Sequence, residues 1–433
     1  MDFVVEPSAL AGGTVSVPGD KSVSHRALML GAVADGTSRI RGFLAGEDCL
    51  ATLRALAAMG VAIDRRDTEV TVHGVGLRGL SAPAAPLDLG NSGTGMRLLA
   101  GILCGQAFTA VLTGDASLRT RPMRRIIEPL SRMGARIDSR DGLPPLTVHG
   151  GAHLAGITYA LPMASAQVKS AILLAGLYAS GETFVTEPAA SRDHTERMLR
   201  AMGVQVESGE NRVRLAGGQV PRAVDVEVPA DLSSAAFLVL AGLLAPDCEI
   251  LIRRVGVNPT RTGFLEILRD MGADIAIENP GLAGDEPVAD LRVRSSTLRA
   301  VEVEPGVVSR AIDEFPVLFV AAAHARGATR FAGIGELRVK ESDRIAVMAE
   351  GLRRLGARVD ESPDGAVVHG GRLTGGTVDS RGDHRVAMSF AVAGTQATGP
   401  VRILGTDNVA TSFPGFAACL RSTGARIAEI PSG

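Results

Sequence analysis

Residues 199–206 read LRAMGVQV. The stretch describes a helix whose wet side carries Arg200, a stop at Gly203, and the start of a strand. A glycine there suits a left-handed helix cap, because it has no Cβ to clash. The same pattern returns as LAAMGVAI (56–63), LSRMGARI (130–137), LRDMGADI (268–275), LRRLGARV (352–359) and LRSTGARI (420–427). The six glycines, Gly60, Gly134, Gly203, Gly272, Gly356 and Gly424, are separated by 74, 69, 69, 84 and 68 residues. Six matches at a near-constant period indicate six copies of one folding unit.

Working upstream from each glycine, small-residue-rich apolar helices start near Arg26, Met96, Val168, Ser234, Phe315 and Val386. They lead into strands such as ETFVTEP and CEILIRRV. Each unit reads as strand, buried helix, strand, exposed helix, strand. A hairpin strand often closes it, as in TVHG at Thr71–Gly74 and Thr147–Gly150. His73, His149 and His369 in these hairpins read as strand-end residues with no chemistry beside them. Three units per domain give two similar α/β domains with a change near Val228–Asp231. Uncharged helices with paired βαβ patterns suit helices packed inside sheets better than a closed barrel.

The chain has 433 residues, 45% hydrophobic and 21% charged, which predicts a globular protein of two domains. A net charge of −2 leaves no global field to recruit nucleic acid or a membrane surface, so anion binding must be local. No Trp and only two Tyr argue against base-stacking platforms. The four cysteines are far apart and predict neither disulfides nor a zinc site, which fits a cytoplasmic location. The start lacks a signal-peptide pattern, and apolar runs such as Ala235–Pro246 are too short to cross a bilayer.

Between first strand and buried helix the units differ most, and polar residues concentrate there. The segments are PGDKSVSHR (18–26), GNSGTGMR (90–97), MASAQVKS (163–170), PADLSSA (229–235), VSRAIDEF (308–315) and SRGDHRVA (380–387). A helix start offers free N–H groups to an anion. Lys21, Ser22 and Arg26 add an ammonium, a hydroxyl and a guanidinium within one turn. Gly93 and Thr94 let an anion approach the backbone, with Arg97 one turn on. Ser233 and Ser234 read as helix caps, and the fourth unit, lacking a cation, as scaffold. Asp193 and Glu196 read as a capping box, with Arg192 left over. Arg121, Lys340, Glu341 and Arg344 add charge on strand-to-helix loops. No metal constellation, Walker loop or dinucleotide fingerprint emerges, and no cofactor is implied. Several cationic anion sites beside the carboxylates Asp313, Glu314 and Glu341 suit acid/base chemistry on phosphorylated acids.

GDKSVSHR, LGNSGTGMR, RPM, SAQVKSAILLAGL, SRDHTE, IDEFP, LRVKESDR, GDHRVAM and SFPGF, in this order from end to end, resemble the EPSP synthase (3-phosphoshikimate 1-carboxyvinyltransferase) family. The resemblance implies two domains, each of three βαβαββ units in an inverse α/β barrel-like arrangement, closing over a cleft. It implies domains of residues 1–18 plus 229–433 and 19–228. It further implies transfer of the enolpyruvyl group of phosphoenolpyruvate to the 5-hydroxyl of 3-phosphoshikimate, as a cytoplasmic monomer of the shikimate pathway.

Carried over by resemblance, Lys21, Ser22, Arg26, Ser165, Ala166, Gln167, Arg192, Asp313 and Lys340 hold shikimate 3-phosphate. Lys21, Gly93, Arg121, Gln167, Arg344 and Arg385 hold phosphoenolpyruvate. Asn91, Thr94, Arg97, Glu314 and His384 are further candidates. Lys21, Asp313 and Glu341 are the implied catalytic groups. Ala166, Thr411 and Leu98 stand where some members carry Ser, Lys and Pro, a pattern of the family's other subgroup that bears on sensitivity to the inhibitor glyphosate. A sister enzyme acting on UDP-N-acetylglucosamine has Lys-Asn near its start and a reactive loop cysteine. Here Lys21 precedes Ser22, and Cys104 follows the uncharged run LLAGIL, which reads as core.

Overall fold

A computed structural model describes residues 1–209 and 211–432. Every glycine of the repeat is left-handed, with φ from 83° at Gly203 to 101° at Gly134 and Gly424. At Gly60 the glycine N–H bonds the carbonyl of Ala57, and the Val61 N–H reaches back to Leu56. This pair of bonds is the Schellman motif, and it recurs at Gly134, Gly203, Gly272 and Gly356. The helices ended in this way are Glu47–Ala58, Arg124–Arg132, His194–Ala201, Gly263–Asp270 and Arg344–Arg354, while Phe416–Ser422 ends at Gly424 with the Gly424 N–H on the Arg421 carbonyl.

The other helices of the repeat, Lys21–Val33, Gly93–Leu103, Ala166–Gly176, Leu232–Leu244, Phe315–His324 and His384–Thr395, are buried on nearly all sides. They are apolar all round because they pack inside sheets, so an amphipathic stripe has no use there. Gly101 allows the closest approach: a Cβ on it would lie 2.4 Å from the Ala171 carbonyl oxygen of the neighbouring buried helix.

Two compact units result. One comprises Met1–Pro18, Pro229–Leu282 and Pro287–Gly433, the other Gly19–Val228 with Ala283–Glu286. Each has its own apolar core. In the Gly19–Val228 unit, Leu87–Asp88 runs parallel to Ala110–Thr113 and Thr158–Ala160 parallel to Glu182–Thr186. Antiparallel strands complete each sheet. The sheet of Asp35–Arg41 takes its parallel strand from Val226–Glu227, at the far end of the unit.

The other unit borrows in the opposite direction. Gly13–Val15 runs parallel to Glu249–Gly256, and Asp2–Glu6 inserts between Val401–Leu404 and Arg426–Ile430, antiparallel to both. The long interval between Gly272 and Gly356 has a plain cause. The strands Asp274–Ala283 and Glu286–Arg294 are longer than their counterparts, and a short helix, Pro305–Ala311, follows.

Three local expectations are corrected. Asp193 does not cap its helix: its carboxylate bonds Arg197 Nε at 3.0 and 2.9 Å. Glu196 instead faces a buried Lys169, 2.9 Å away. Ser233 and Ser234 are not caps either, because Asp231 accepts the Ser233 N–H at 2.9 Å and takes that role. The hairpin histidines do have chemistry beside them. His73, His149 and His369 meet Asp64, Asp138 and Asp360 diagonally across their hairpins, at 3.4, 2.6 and 2.8 Å. The hydrogen bond from His149 holds Asp138 below the usual carboxylate range, as that from His369 does for Asp360.

Candidate active site

In the Gly19–Val228 unit three buried-helix starts carry the polar groups. Asp20 caps Lys21–Val33 by accepting the Val23 N–H at 2.9 Å, which sets Lys21 and Ser22 in the first turn. The Lys21 ammonium pairs with Asp48. Arg26 is 2% exposed and fully engaged. It donates to Thr195 at 2.6 Å, to the Ser22 carbonyl at 2.9 Å and to Ser170 at 2.8 Å. Burial lowers its pKa to about 10, so it stays charged at neutral pH.

Ser92 caps Gly93–Leu103 through the Gly95 N–H at 2.9 Å. Above that turn two guanidiniums converge on Gly93. A Cβ there would lie 2.9 Å from Arg97 Nη1 and 3.1 Å from Arg121 Nη1. Arg97 also donates to Gln167 at 2.8 Å, and Gln167 to Thr94 at 2.8 Å. Arg121 donates to Asn91 at 2.5 Å. Ser165 caps the third helix at its Val168 N–H, 3.4 Å away, with Ala166 at the first position. The structure therefore joins Asn91, Gly93, Thr94, Arg97, Arg121 and Gln167 into one cluster around two guanidiniums. Lys21 and Arg192 lie on other segments of the unit.

In the other unit Arg344 is the hub. It is 1% exposed and donates to Asp383 at 2.8 Å and to Glu341 at 2.6 Å. Its Nη1 lies 3.6 Å from Asp313 and makes no hydrogen bond among the described residues. Burial alone would lower the Arg344 pKa, but Asp383, Glu341 and Asp313 outweigh it and raise it. Asp313 also faces Arg385 at 3.6 Å, and Arg385 donates to the Asp313 carbonyl at 3.1 Å. Lys340 is held below its usual pKa by burial, against the pull of Asp313 and Glu336. His384 and Arg385 begin the helix that Asp383 caps.

Glu314 is buried and occupied: Ser233 donates to it, and Arg385 and Arg261 lie 3.7 and 3.8 Å away. Arg261 also corrects the reading of the fourth unit as lacking a cation, since it donates to Ser233 at 2.6 Å. Asp48, Asp383 and Arg261 were missed in the sequence. Asp383 was legible, because Asp two residues before Arg385 is a cap signature. Asp48 and Arg261 reach their partners only through tertiary folding, and no local pattern marks them. Cys104 is core: it is fully buried, and burial pushes its thiol up to about 12. No helix among the described residues is long and apolar enough to cross a membrane.

The sequence pattern of EPSP synthase (3-phosphoshikimate 1-carboxyvinyltransferase) matches residues 5–420. The chain belongs to the EPSP synthase family. A 3-phosphoshikimate 1-carboxyvinyltransferase of Xanthomonas campestris pv. campestris (strain B100) is 57% identical over 99% of this chain and 98% of its own length. That of Methylococcus capsulatus is 56% identical over 98% and 97%. A solved EPSP synthase from Acinetobacter baumannii superposes with TM-score 0.88 at 50% identity, covering 99% of this chain and all of that one.

Leu98 is fully buried core. Thr411 turns its hydroxyl to the Asn408 carbonyl at 2.6 Å.

Proposed function

We propose that this chain transfers the enolpyruvyl group of phosphoenolpyruvate to the 5-hydroxyl of shikimate 3-phosphate, releasing phosphate. Family membership along the whole chain supports the reaction. The observation that carries its chemistry is the buried Arg344, which gathers Asp313, Glu341 and Asp383 while its Nη1 makes no hydrogen bond among the described residues. A buried guanidinium nitrogen without a hydrogen bond is costly unless a ligand satisfies it, and a phosphate or carboxylate oxygen fits that role.

The reaction forms a bond between the 5-oxygen and C2 of phosphoenolpyruvate while C3 gains a proton. It then expels phosphate as C3 returns a proton, restoring the double bond. We assign Asp313 as the base for the hydroxyl proton, and Glu341 with Lys21 as the acid toward C3. Ser22, Arg26, Ser165, Ala166, Gln167, Arg192 and Lys340 hold shikimate 3-phosphate. The Gly93 backbone, Lys21, Arg121, Gln167, Arg344 and Arg385 hold phosphoenolpyruvate. Asn91, Thr94 and Arg97 shape that cradle. Two polyanions repel, so this density of cations is what their joint binding requires.

Purified protein is expected to release phosphate only with both substrates present. Release with UDP-N-acetylglucosamine in place of shikimate 3-phosphate would reassign the enzyme. In Asp313→Ala, kcat is expected to fall about 10²–10⁴-fold with KM changing by less than about tenfold. A change in KM alone would make Asp313 a binding group only.

A further inference from the structure

One buried ion cluster in the Gly19–Val228 unit has no part in the roles assigned above. Lys169, on the inner face of Ala166–Gly176, is 4% exposed at its side chain, as is Glu187, while Glu196 is 2% exposed. Its ammonium lies 2.7 Å from Glu187 and 2.9 Å from Glu196, and donates to the Ser191 carbonyl at 3.3 Å. Glu187 closes the loop on itself. It accepts the Ser191 N–H at 3.4 Å and the Ser191 hydroxyl.

Two carboxylates face one ammonium, and the Arg26 guanidinium, whose pKa burial lowers against the pull of Glu196, supplies the second positive charge. Lys169 keeps its own proton: burial works against it, but Glu196 and Glu187 raise its pKa. The geometry ties three pieces of chain together. Lys169 lies four residues after Ser165 and two after Gln167, Ser191 directly precedes Arg192, and Glu196 sits on His194–Ala201. Arg26 clamps two of these pieces at adjacent residues, through Ser170 after Lys169 and Thr195 before Glu196.

We propose that Lys169, with Glu187, is a positioning pair that fixes the 187–191 turn and so presents Arg192 and the Ser165–Gln167 helix start to the phosphate of shikimate 3-phosphate. The inference rests on the function proposed above, but its structural half does not need the substrate. A buried ion pair is a poor source of stability, and a well-packed apolar group often does as well. Its use here is geometric: both Ser191 backbone groups are held by charged partners, which leaves the turn before Arg192 little freedom.

The test uses the full chain and two variants. Lys169→Met leaves two buried carboxylates short of a cation and is the severe variant. Glu187→Gln keeps Lys169 paired with Glu196 and is the one expected to fold. In Glu187→Gln the dissociation constant and KM for shikimate 3-phosphate are expected to rise about tenfold, with KM for phosphoenolpyruvate within about twofold. Hydrogen exchange of residues 187–192 in the substrate-free protein is expected to quicken in the same variant. Lys169→Arg is expected to restore most of the affinity that Lys169→Met loses. Unchanged exchange and affinity in Glu187→Gln overturn the proposal while leaving the enzyme's function intact. Faster exchange in a protein that does not bind shikimate 3-phosphate keeps the positioning role and removes the function.

Discussion

Gly93 is a position where one added carbon has a measurable consequence. Both neighbours of a Cβ there, Arg97 Nη1 and Arg121 Nη1, are ends of flexible side chains and can move aside. Gly93→Ala is therefore expected to fold normally but to displace the cradle's cations, raising KM for phosphoenolpyruvate about tenfold in steady-state assays. His25, beside Lys21, makes a second prediction. It is fully buried, bonds Thr52 at 2.9 Å and lies 3.4 Å from Ser92. Burial first, then Lys21 and Arg26, hold its pKa well below the usual histidine value, against a smaller opposing pull from Asp20. The unfolded chain thus binds a proton below about pH 6.5 that the folded chain refuses. The stability His25 contributes is complete above that pH and is lost as pH falls below it, by up to about 1.4 kcal/mol per pH unit. Urea unfolding at pH 7 and pH 5 is expected to show a shallower pH dependence in His25→Gln than in the parent.

At the scale of elements the repeat glycines separate strain from collision. Gly203 has φ +83° and, its chain neighbours apart, none of the described residues within 4 Å of where a Cβ would stand, whereas at Gly424 that carbon would lie 2.9 Å from the Ala11 amide nitrogen. Gly203→Ala is expected to cost about 1–2 kcal/mol from the left-handed backbone alone. Gly424→Ala is expected to cost more, and equal losses in thermal melts would refute the distinction. These helix ends were readable in the sequence because a cap is local: Gly, the residue after it and the helix before it are adjacent in the chain. The buried helices were readable for the same reason, through their uniform apolarity. The diagonal His–Asp pairs were not, because residues nine or eleven apart meet only after hairpin register is set. Lys169 shows the same limit. Within AQVKSAILL it looks like a surface lysine among apolar residues, and its partners lie 18 and 27 positions further on.

Across the whole molecule, repetition is incomplete in an instructive way. The sixth copy ends one strand short, and Asp2–Glu6 supplies it. The fifth sheet has only three strands. Val4 pairs with both Arg402 and Ala428 in the middle of its sheet. Val4→Pro is expected to cost about 3 kcal/mol or more. Segment-resolved hydrogen exchange is expected to place that loss in the unit of residues 1–18, 229–282 and 287–432, sparing residues 19–228. Equal loosening of both units would show that they unfold as one.

The two borrowed strands also set a timetable for synthesis. Val226–Glu227 completes the sheet begun at Asp35, so the middle of the chain holds all its strands once residue 228 has left the ribosome. Asp2–Glu6 is made before that part of the chain, yet its partners, Val401–Leu404 and Arg426–Ile430, are made well after it. Folding that follows emergence from the ribosome therefore finishes the sheets of residues 19–228 first, while Asp2–Glu6 waits unpaired until both of its partner strands have been made.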